Sequence, residues 1–146
     1  MRELPRQLTV DELAELFEGR TRFVERLARL ENPLEAARAL VRELPDDEKR
    51  EVLDAHPAVG QRAALSARSA AEQGTDDDPA VLEELARLNR AYEARFGFRF
   101  VVFVNRRPKS ELLPVLRERL ERTREQELET ALGELVSIAR DRWRRG

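Results

Sequence analysis

The chain has 146 residues, 27 Lys+Arg against 29 Asp+Glu, and a formal net charge of -2. That length suits one domain, and a chain of this size buries a core without disulfide or metal staples. With no cysteine and a single histidine, His56, it excludes disulfide frameworks, iron–sulfur clusters, thiol nucleophiles, cysteine zinc sites and multi-histidine metal sites.

All the basic residues except Lys49 and Lys109 are arginines, and they alternate with acids along the chain. This is the pattern of solvated helix faces laced with ion pairs, whereas a nucleic-acid binder gathers basic residues on one face. With 38% charged and 5% aromatic residues, the chain could be a coiled coil or a disordered polyampholyte; 41% hydrophobic residues in periodic stripes argue for a folded domain. No apolar run approaches the roughly 20 residues of a membrane span. Met1–Pro5 lacks the apolar core of a signal peptide, so a cytoplasmic protein is the expectation.

Thr9-Val10-Asp11-Glu12 is a capping box opening a helix with Leu13, Leu16 and Phe17 on one side and Gly19 as its stop. A second helix follows Thr21, with Phe23, Val24, Leu27 and Leu30 inward. Asn32-Pro33 starts a third, Asn32 capping and Pro33 at the first turn, with Ala36, Ala37, Leu40, Val41 and Leu44 as its stripe. A fourth opens at Pro45-Asp46-Asp47 and stops at His56, because Pro57 disfavours helical geometry before it. Pro57–Gln73 carries little stripe and reads as loop, then a short helix over 66–73; Gly74–Asp77 is a turn. Asp78-Pro79 opens a helix with Leu82, Leu85, Asn89, Tyr92 and Phe96 at spacings of three and four, ended by Gly97.

Phe98–Val104, FRFVVFV, alone reads as a buried strand, yet no second strand exists to pair with it. It is therefore expected as an extended segment inside a helical protein. Ser110–Leu120 is the next helix, with Pro114 in its first turn. Thr123-Arg124-Glu125-Gln126 is a second capping box, opening a long helix with Leu128, Ala131, Leu132, Leu135, Ile138, Ala139 and Trp143 inward.

The segment with the weakest helical pattern holds the side chains fit for chemistry. His56 at a helix C-terminus reads two ways: a proton-handling imidazole whose pKa the helix end raises, or a C-cap donor. Ser69 and Glu72 share a helix face, with Gln73 beside them; they suit hydrogen bonds to a small polar heterocycle, or a solvated face. Asn89 within an apolar stripe fits a buried structural hydrogen bond more readily than a ligand contact. Arg142 suits a carboxylate or an ordinary surface pair. Gly60 and Gly74 stand alone, so no phosphate loop is present, and neither Ser66 nor Ser69 lies in a nucleophile elbow.

Taken in order, Asp54-Ala55-His56-Pro57-Ala58-Val59-Gly60, Ser69-Ala70-Ala71-Glu72-Gln73, Leu88-Asn89-Arg90-Ala91-Tyr92 and Phe96-Gly97-Phe98-Arg99-Phe100-Val101-Val102 resemble the successive motifs of the OHCU decarboxylase family. OHCU is 2-oxo-4-hydroxy-4-carboxy-5-ureidoimidazoline, an intermediate of uric acid breakdown. The last helix, with Glu127, Ala131, Glu134, Ile138 and Arg142, is also similar to that family's C-terminal helix. The resemblance implies an all-α, single-domain bundle of about eight helices over residues 1–146, with an extended segment near 98–104. It implies His56, Glu72 and Arg142 as catalytic residues, Arg140 being the alternative arginine. Pro57, Ser69, Ala70, Ala71, Glu72, Gln73, Phe100, Val101, Val102, Phe103 and Val104 are the implied substrate contacts. The implied activity is cofactor-free and metal-free decarboxylation to (S)-allantoin. The ligand is a small ureidoimidazoline, without nucleic acid or membrane. The resemblance points to a homodimer, although no interface is legible in the sequence.

Three departures touch the pocket wall: Arg99 stands where the family usually has proline, Val59 where it has leucine, and Asn105-Arg106-Arg107-Pro108 is atypical. Two other readings remain at this level, a non-catalytic helical adaptor and a decarboxylase of a related ureido acid. The adaptor would scatter His56, Glu72 and Arg142 over separate surfaces and expose an apolar patch.

Overall fold

A computed structural model describes residues 3–59 and 78–146, and the helices in it begin where the sequence carries its start signals. Helix α1, Val10–Phe17, opens on the expected capping box: Glu12 N–H donates to Thr9 Oγ1 and Thr9 N–H to the Glu12 carboxylate. Helix α2 is Arg22–Leu27, α3 Pro33–Glu43 and α4 Asp46–Asp54. After residue 78 come α5, Pro79–Phe96, α6, Lys109–Leu120, and α7, Arg124–Arg145, the last opened by the Thr123/Gln126 box. Among the described residues these seven helices are the regular structure, and none is long and apolar enough to cross a membrane.

Four local expectations change. The stop of α1 falls on Glu18, which takes a left-handed φ of 65°, rather than on Gly19. The Glu18 carboxylate reaches Arg142 at 3.0 Å, which offsets a backbone cost of about 1–2 kcal/mol. Leu30 is 39% exposed because α2 ends at Leu27, leaving Leu30 beyond the helix. Asn32 caps α3 by position only: its φ is 52°, its side chain makes no cap bond, and its N–H goes to the Arg6 carbonyl at 2.7 Å. Pro114 is the sixth residue of α6, past the first turn. Pro114 and Ser110 are both exposed, so the Ser110 carbonyl that loses its helical partner faces water.

Helix α7 is the spine of the fold. It packs on α1, α3 and α4, while α2 bridges α1, α3 and α4, and α5 lies along α6. The core joins Phe17 and Phe23, edge to face at 5.2 Å, to an aromatic group around Tyr92 with Phe96, Phe98 and Phe100.

The extended reading of Phe98–Val104 holds, and the hydrogen bonds explain how such a segment survives without a sheet. A buried backbone needs partners for its N–H and C=O groups. Here side chains supply them. Arg99 N–H donates to Asp54 Oδ1 (2.9 Å), Arg119 Nη1 to the Val101 carbonyl (2.8 Å), and Phe103 N–H to Glu134 Oε1 (3.3 Å). Arg107 closes the far end on the Phe103 and Val104 carbonyls, after a turn in which Asn105 and Arg106 both have positive φ.

Arg119 is itself anchored in the core. Glu127, fully buried, accepts from Arg119 Nε (2.7 Å), Arg122 Nη1 (2.8 Å) and the Tyr92 hydroxyl (2.6 Å). Burial and the Glu127 carboxylate push the Tyr92 phenol far above its ordinary range, so it stays a donor. Arg119 also lies 4.6 Å from the Phe100 ring centroid.

Candidate active site

The end of α4 delivers His56. Ala55 is the last helical cap, His56 N–H donates to the Leu53 carbonyl at 3.2 Å, and Pro57 turns the chain away. The imidazole is 4% exposed, and its Nε2 has no hydrogen-bond partner among the described residues. An unpartnered buried donor or acceptor is costly in a core and useful beside a ligand.

It faces a cleft lined by His56, Pro57 and Val59, by Phe100–Val104, and by Ile138 and Arg142 of α7. Asn89 fixes one rim by donating to the Val59 carbonyl at 3.0 Å, the buried structural role its place in a stripe suggests. Arg142 is 2% exposed, not a surface residue, and its Nη1 donates to the Leu16 carbonyl at 3.1 Å while Nη2 pairs with Glu18. Arg140 points elsewhere, bonding the Leu34 carbonyl of α3. Spacing alone does not separate them: Arg142 follows Leu135 and Ile138 at three and four, and Arg140 follows Leu132 and Val136 at four and four, so packing makes the distinction.

The protonation state reverses the sequence expectation. Burial pushes His56 down from its ordinary 6.5 to about 4, with the Arg142 cation adding to the effect, Glu18 opposing it, and Arg99 adding further. The helix end that should favour an imidazolium is already occupied. Arg99 Nη1 donates to the His56 carbonyl at 2.6 Å and to the Asp54 carbonyl at 3.3 Å. His56 is therefore a neutral imidazole at pH 7.

Of the residues expected at a site, His56, Pro57, Phe100, Val101, Val102, Phe103, Val104 and Arg142 come together around this one cleft. Ser69, Ala70, Ala71, Glu72 and Gln73 lie outside the described residues, as do the helix expected over 66–73 and the turn at 74–77. Arg99, Arg107, Arg119 and Glu134, which hold the backbone around the cleft, were not singled out for that purpose from sequence; one arginine among many carries no mark of the carbonyl it will meet. No cluster of metal-ligating side chains occurs among the described residues.

Comparison with known proteins covers most of the chain. The family model described as OHCU decarboxylase matches residues 2–144. The chain is 31% identical over 141 residues to 2-oxo-4-hydroxy-4-carboxy-5-ureidoimidazoline decarboxylase of Haloferax volcanii, covering 89% of this chain and 83% of that protein. It is 29% identical to the Uric acid degradation bifunctional protein PucL of Bacillus subtilis, over 97% of this chain but 31% of that longer protein. Among solved structures, an OHCU decarboxylase crystallised in the presence of (S)-allantoin matches with a TM-score of 0.73 at 26% identity, covering 90% of this chain and 94% of the other. An (S)-allantoin synthase matches at 0.66 and 29%, over 91% of this chain and 47% of the other.

Proposed function

The chain belongs to the OHCU decarboxylase family, and from that premise we propose that it converts OHCU to (S)-allantoin with His56 as its proton-handling group. Decarboxylation of OHCU to allantoin is a step of urate degradation. The observation that carries the reading is the convergence of a buried imidazole, its Nε2 without a partner among the described residues, and a buried arginine on one cleft. Among the described residues Leu30 is the one large apolar side chain left exposed, which does not make an adaptor's docking patch.

Loss of CO₂ leaves an electron pair that needs a sink. In OHCU the carboxylated C4 adjoins C5, which forms a C=N bond with the ring nitrogen. As the C4–carboxylate bond breaks, its pair forms C4=C5 and the C=N pair moves to nitrogen, which takes a proton from solvent. The C4 hydroxyl then gives its proton to His56, C4=O forms, and the C4=C5 pair takes that proton at C5. The product is allantoin and CO₂, with one solvent proton consumed for the anionic substrate.

A neutral imidazole is the form this sequence requires. Its low pKa makes the imidazolium a strong acid that holds the proton briefly and passes it on, and an anionic substrate in the same cleft shifts that balance back toward protonation. Arg142 holds the carboxylate or an anionic oxygen. The apolar side chains of Phe100–Val104 and Ile138 strip water from the carboxylate, favouring departure as neutral CO₂. In the wall itself, Val101 and Phe103 spend backbone groups on Arg119, Glu134 and Arg107. Val102 N–H and C=O have no such partners among the described residues, leaving a donor–acceptor pair for the ureide. Glu72, Ser69 and Gln73, with Ala70 and Ala71, complete the substrate contacts in this reading.

The test is stereochemical. The enol intermediate is planar at C5, so uncatalysed decay protonates both faces and gives racemic allantoin. OHCU generated in situ is followed by circular dichroism with wild type and His56→Ala. Wild type is expected to yield an optically active product, and the variant a racemate near the spontaneous rate. A racemate at the uncatalysed rate from wild type would refute the function; full activity in His56→Ala would refute the mechanism.

A further inference from the structure

We propose that Arg99 is a positioning residue for His56: its guanidinium, bonded to the His56 and Asp54 carbonyls, holds the imidazole in register against the extended wall of the cleft. The proposal rests on the reading of His56 as the proton-handling group. Its basis is a closed loop of contacts. Arg99 N–H donates to the Asp54 carboxylate, while its side chain reaches back past that carboxylate to the Asp54 and His56 main-chain carbonyls. Two points on the end of α4 are thus fixed to one residue of the extended segment, and the next residue, Phe100, begins the cleft wall. Glu93 of α5 steadies the guanidinium at 3.4 Å through Nε.

No other hydrogen bond among the described residues ties His56 to the segment facing it, and Pro57 removes the backbone donor that could have done so. The 2.6 Å bond to the His56 carbonyl is therefore the link that sets the distance between imidazole and wall. The same cation stands at the carbonyl end of α4 and offsets the negative helix terminus. The charged groups facing the imidazole among the described residues are Arg142 from α7, Glu18 from the end of α1, and Arg99; on the histidine's own element Asp54 is engaged by Arg99.

The chain has one histidine, so a single imidazole resonance reports on it without ambiguity. The experiment compares wild type, Arg99→Met and Arg99→Lys by ¹H–¹³C NMR titration and by OHCU turnover with enantiomeric excess. Arg99→Met is expected to raise the His56 midpoint by about half a unit or more. It should lower kcat by about tenfold at little-changed KM and erode the enantiomeric excess, because an imidazole off register no longer serves one face of C5. Arg99→Lys keeps the cation and one donor, and should hold the midpoint near wild type while recovering part of kcat.

A purely structural role would lower Tm in both variants and leave the midpoint, kcat and enantiomeric excess as in wild type; that result overturns the proposal. If Arg99→Met does not fold, Arg99→Lys decides: reduced kcat with a retained midpoint supports the proposal, and unchanged kcat and enantiomeric excess overturn it. The titration needs no substrate, so it reads the Arg99–His56 coupling even if wild type proves inactive on OHCU.

Discussion

Burial of His56 should make this protein sensitive to mild acid. His56 is neutral in the folded state down to about pH 4 and ordinary, near 6.5, in the unfolded chain. Between those values the unfolded state binds a proton that the native state does not. Stability therefore falls with falling pH across that window, and the loss is complete below the folded pKa. A separation of 2.5 units corresponds to about 3 kcal/mol in full, at about 1.4 kcal/mol per unit. From pH 8 to pH 5 the expected loss is about 2 kcal/mol, since part of the window lies below pH 5. His56 is almost wholly buried, so solvent screening does not erode the figure. The assay is urea unfolding across that range for wild type and His56→Gln, a neutral side chain of similar reach. A loss of about 2 kcal/mol moves the wild-type urea midpoint down by about 1 M relative to the variant. The variant also removes the main confounder. The Asp46 and Glu51 carboxylates are held low by Arg124 and Arg22, and their contributions fade in acid equally in both proteins. Parallel curves for wild type and His56→Gln, or an imidazole midpoint at or above 6.5, would refute the reasoning.

Other outcomes follow from the same contacts. Arg142→Gln removes the cation that lowers the His56 pKa most and one face of the cleft; its imidazole midpoint should rise and its decarboxylation rate fall by about 10²-fold, read by the same titration and by dichroism. Arg140→Ala should stay within about twofold of wild-type turnover, because Arg140 serves the Leu34 carbonyl and does not line the cleft. Glu127→Ala strands Arg119 in the core and should cost about 3–5 kcal/mol in denaturant unfolding, with Tyr92→Phe costing less, about 1–2 kcal/mol. Gly97→Ala tests backbone strain alone: φ is 80° and no atom lies within 4 Å of an added Cβ, so the loss should be about 1–2 kcal/mol without repacking.

What was legible in the sequence is the part of the fold written in local chemistry. The Thr9 and Thr123 capping boxes, Pro33 at a first turn and Gly97 as a stop are set within a few residues of one another, and the structure keeps them. The His56-Pro57 break and the isolated extended segment follow from equally short-range arguments. The histidine's charge state was not legible, because the helix end that favours an imidazolium is local and the burial and arginines that defeat it are not. Arg142 is an intermediate case. Its place in the α7 stripe is local, but knowing that the stripe meets His56 takes the packing of α7 on α1 and α4.

The arginines show where the limit lies. Composition reads them as one class, a solvated partner for the acids, and Arg6, Arg42 and Arg145 behave so in exposed ion pairs. Around the cleft they do something else. Arg99, Arg119, Arg107 and Arg142 each give an N–H to a main-chain carbonyl at or beside a non-helical stretch. Among the described residues this extended wall has no neighbouring strand to satisfy its backbone. It needs long side chains with several fixed donors, and guanidinium supplies five where an ammonium supplies three. In that light the extended wall and the arginines that hold it form one device. Helix α6 carries Arg119, α7 carries Arg142 and α5 carries Glu93 beside Arg99; the arginines carry the backbone, and the backbone presents Val102 and the apolar wall to the imidazole. A substitution that spared every residue of the cleft but shortened Arg119 to lysine would test this chain of support. Arg119→Lys keeps the charge facing Glu127 but cannot reach Glu127 and the Val101 carbonyl together with the same geometry. Turnover should fall several-fold while the His56 titration midpoint stays put. A raised midpoint with unchanged turnover would separate the wall from the chemistry and sink the idea.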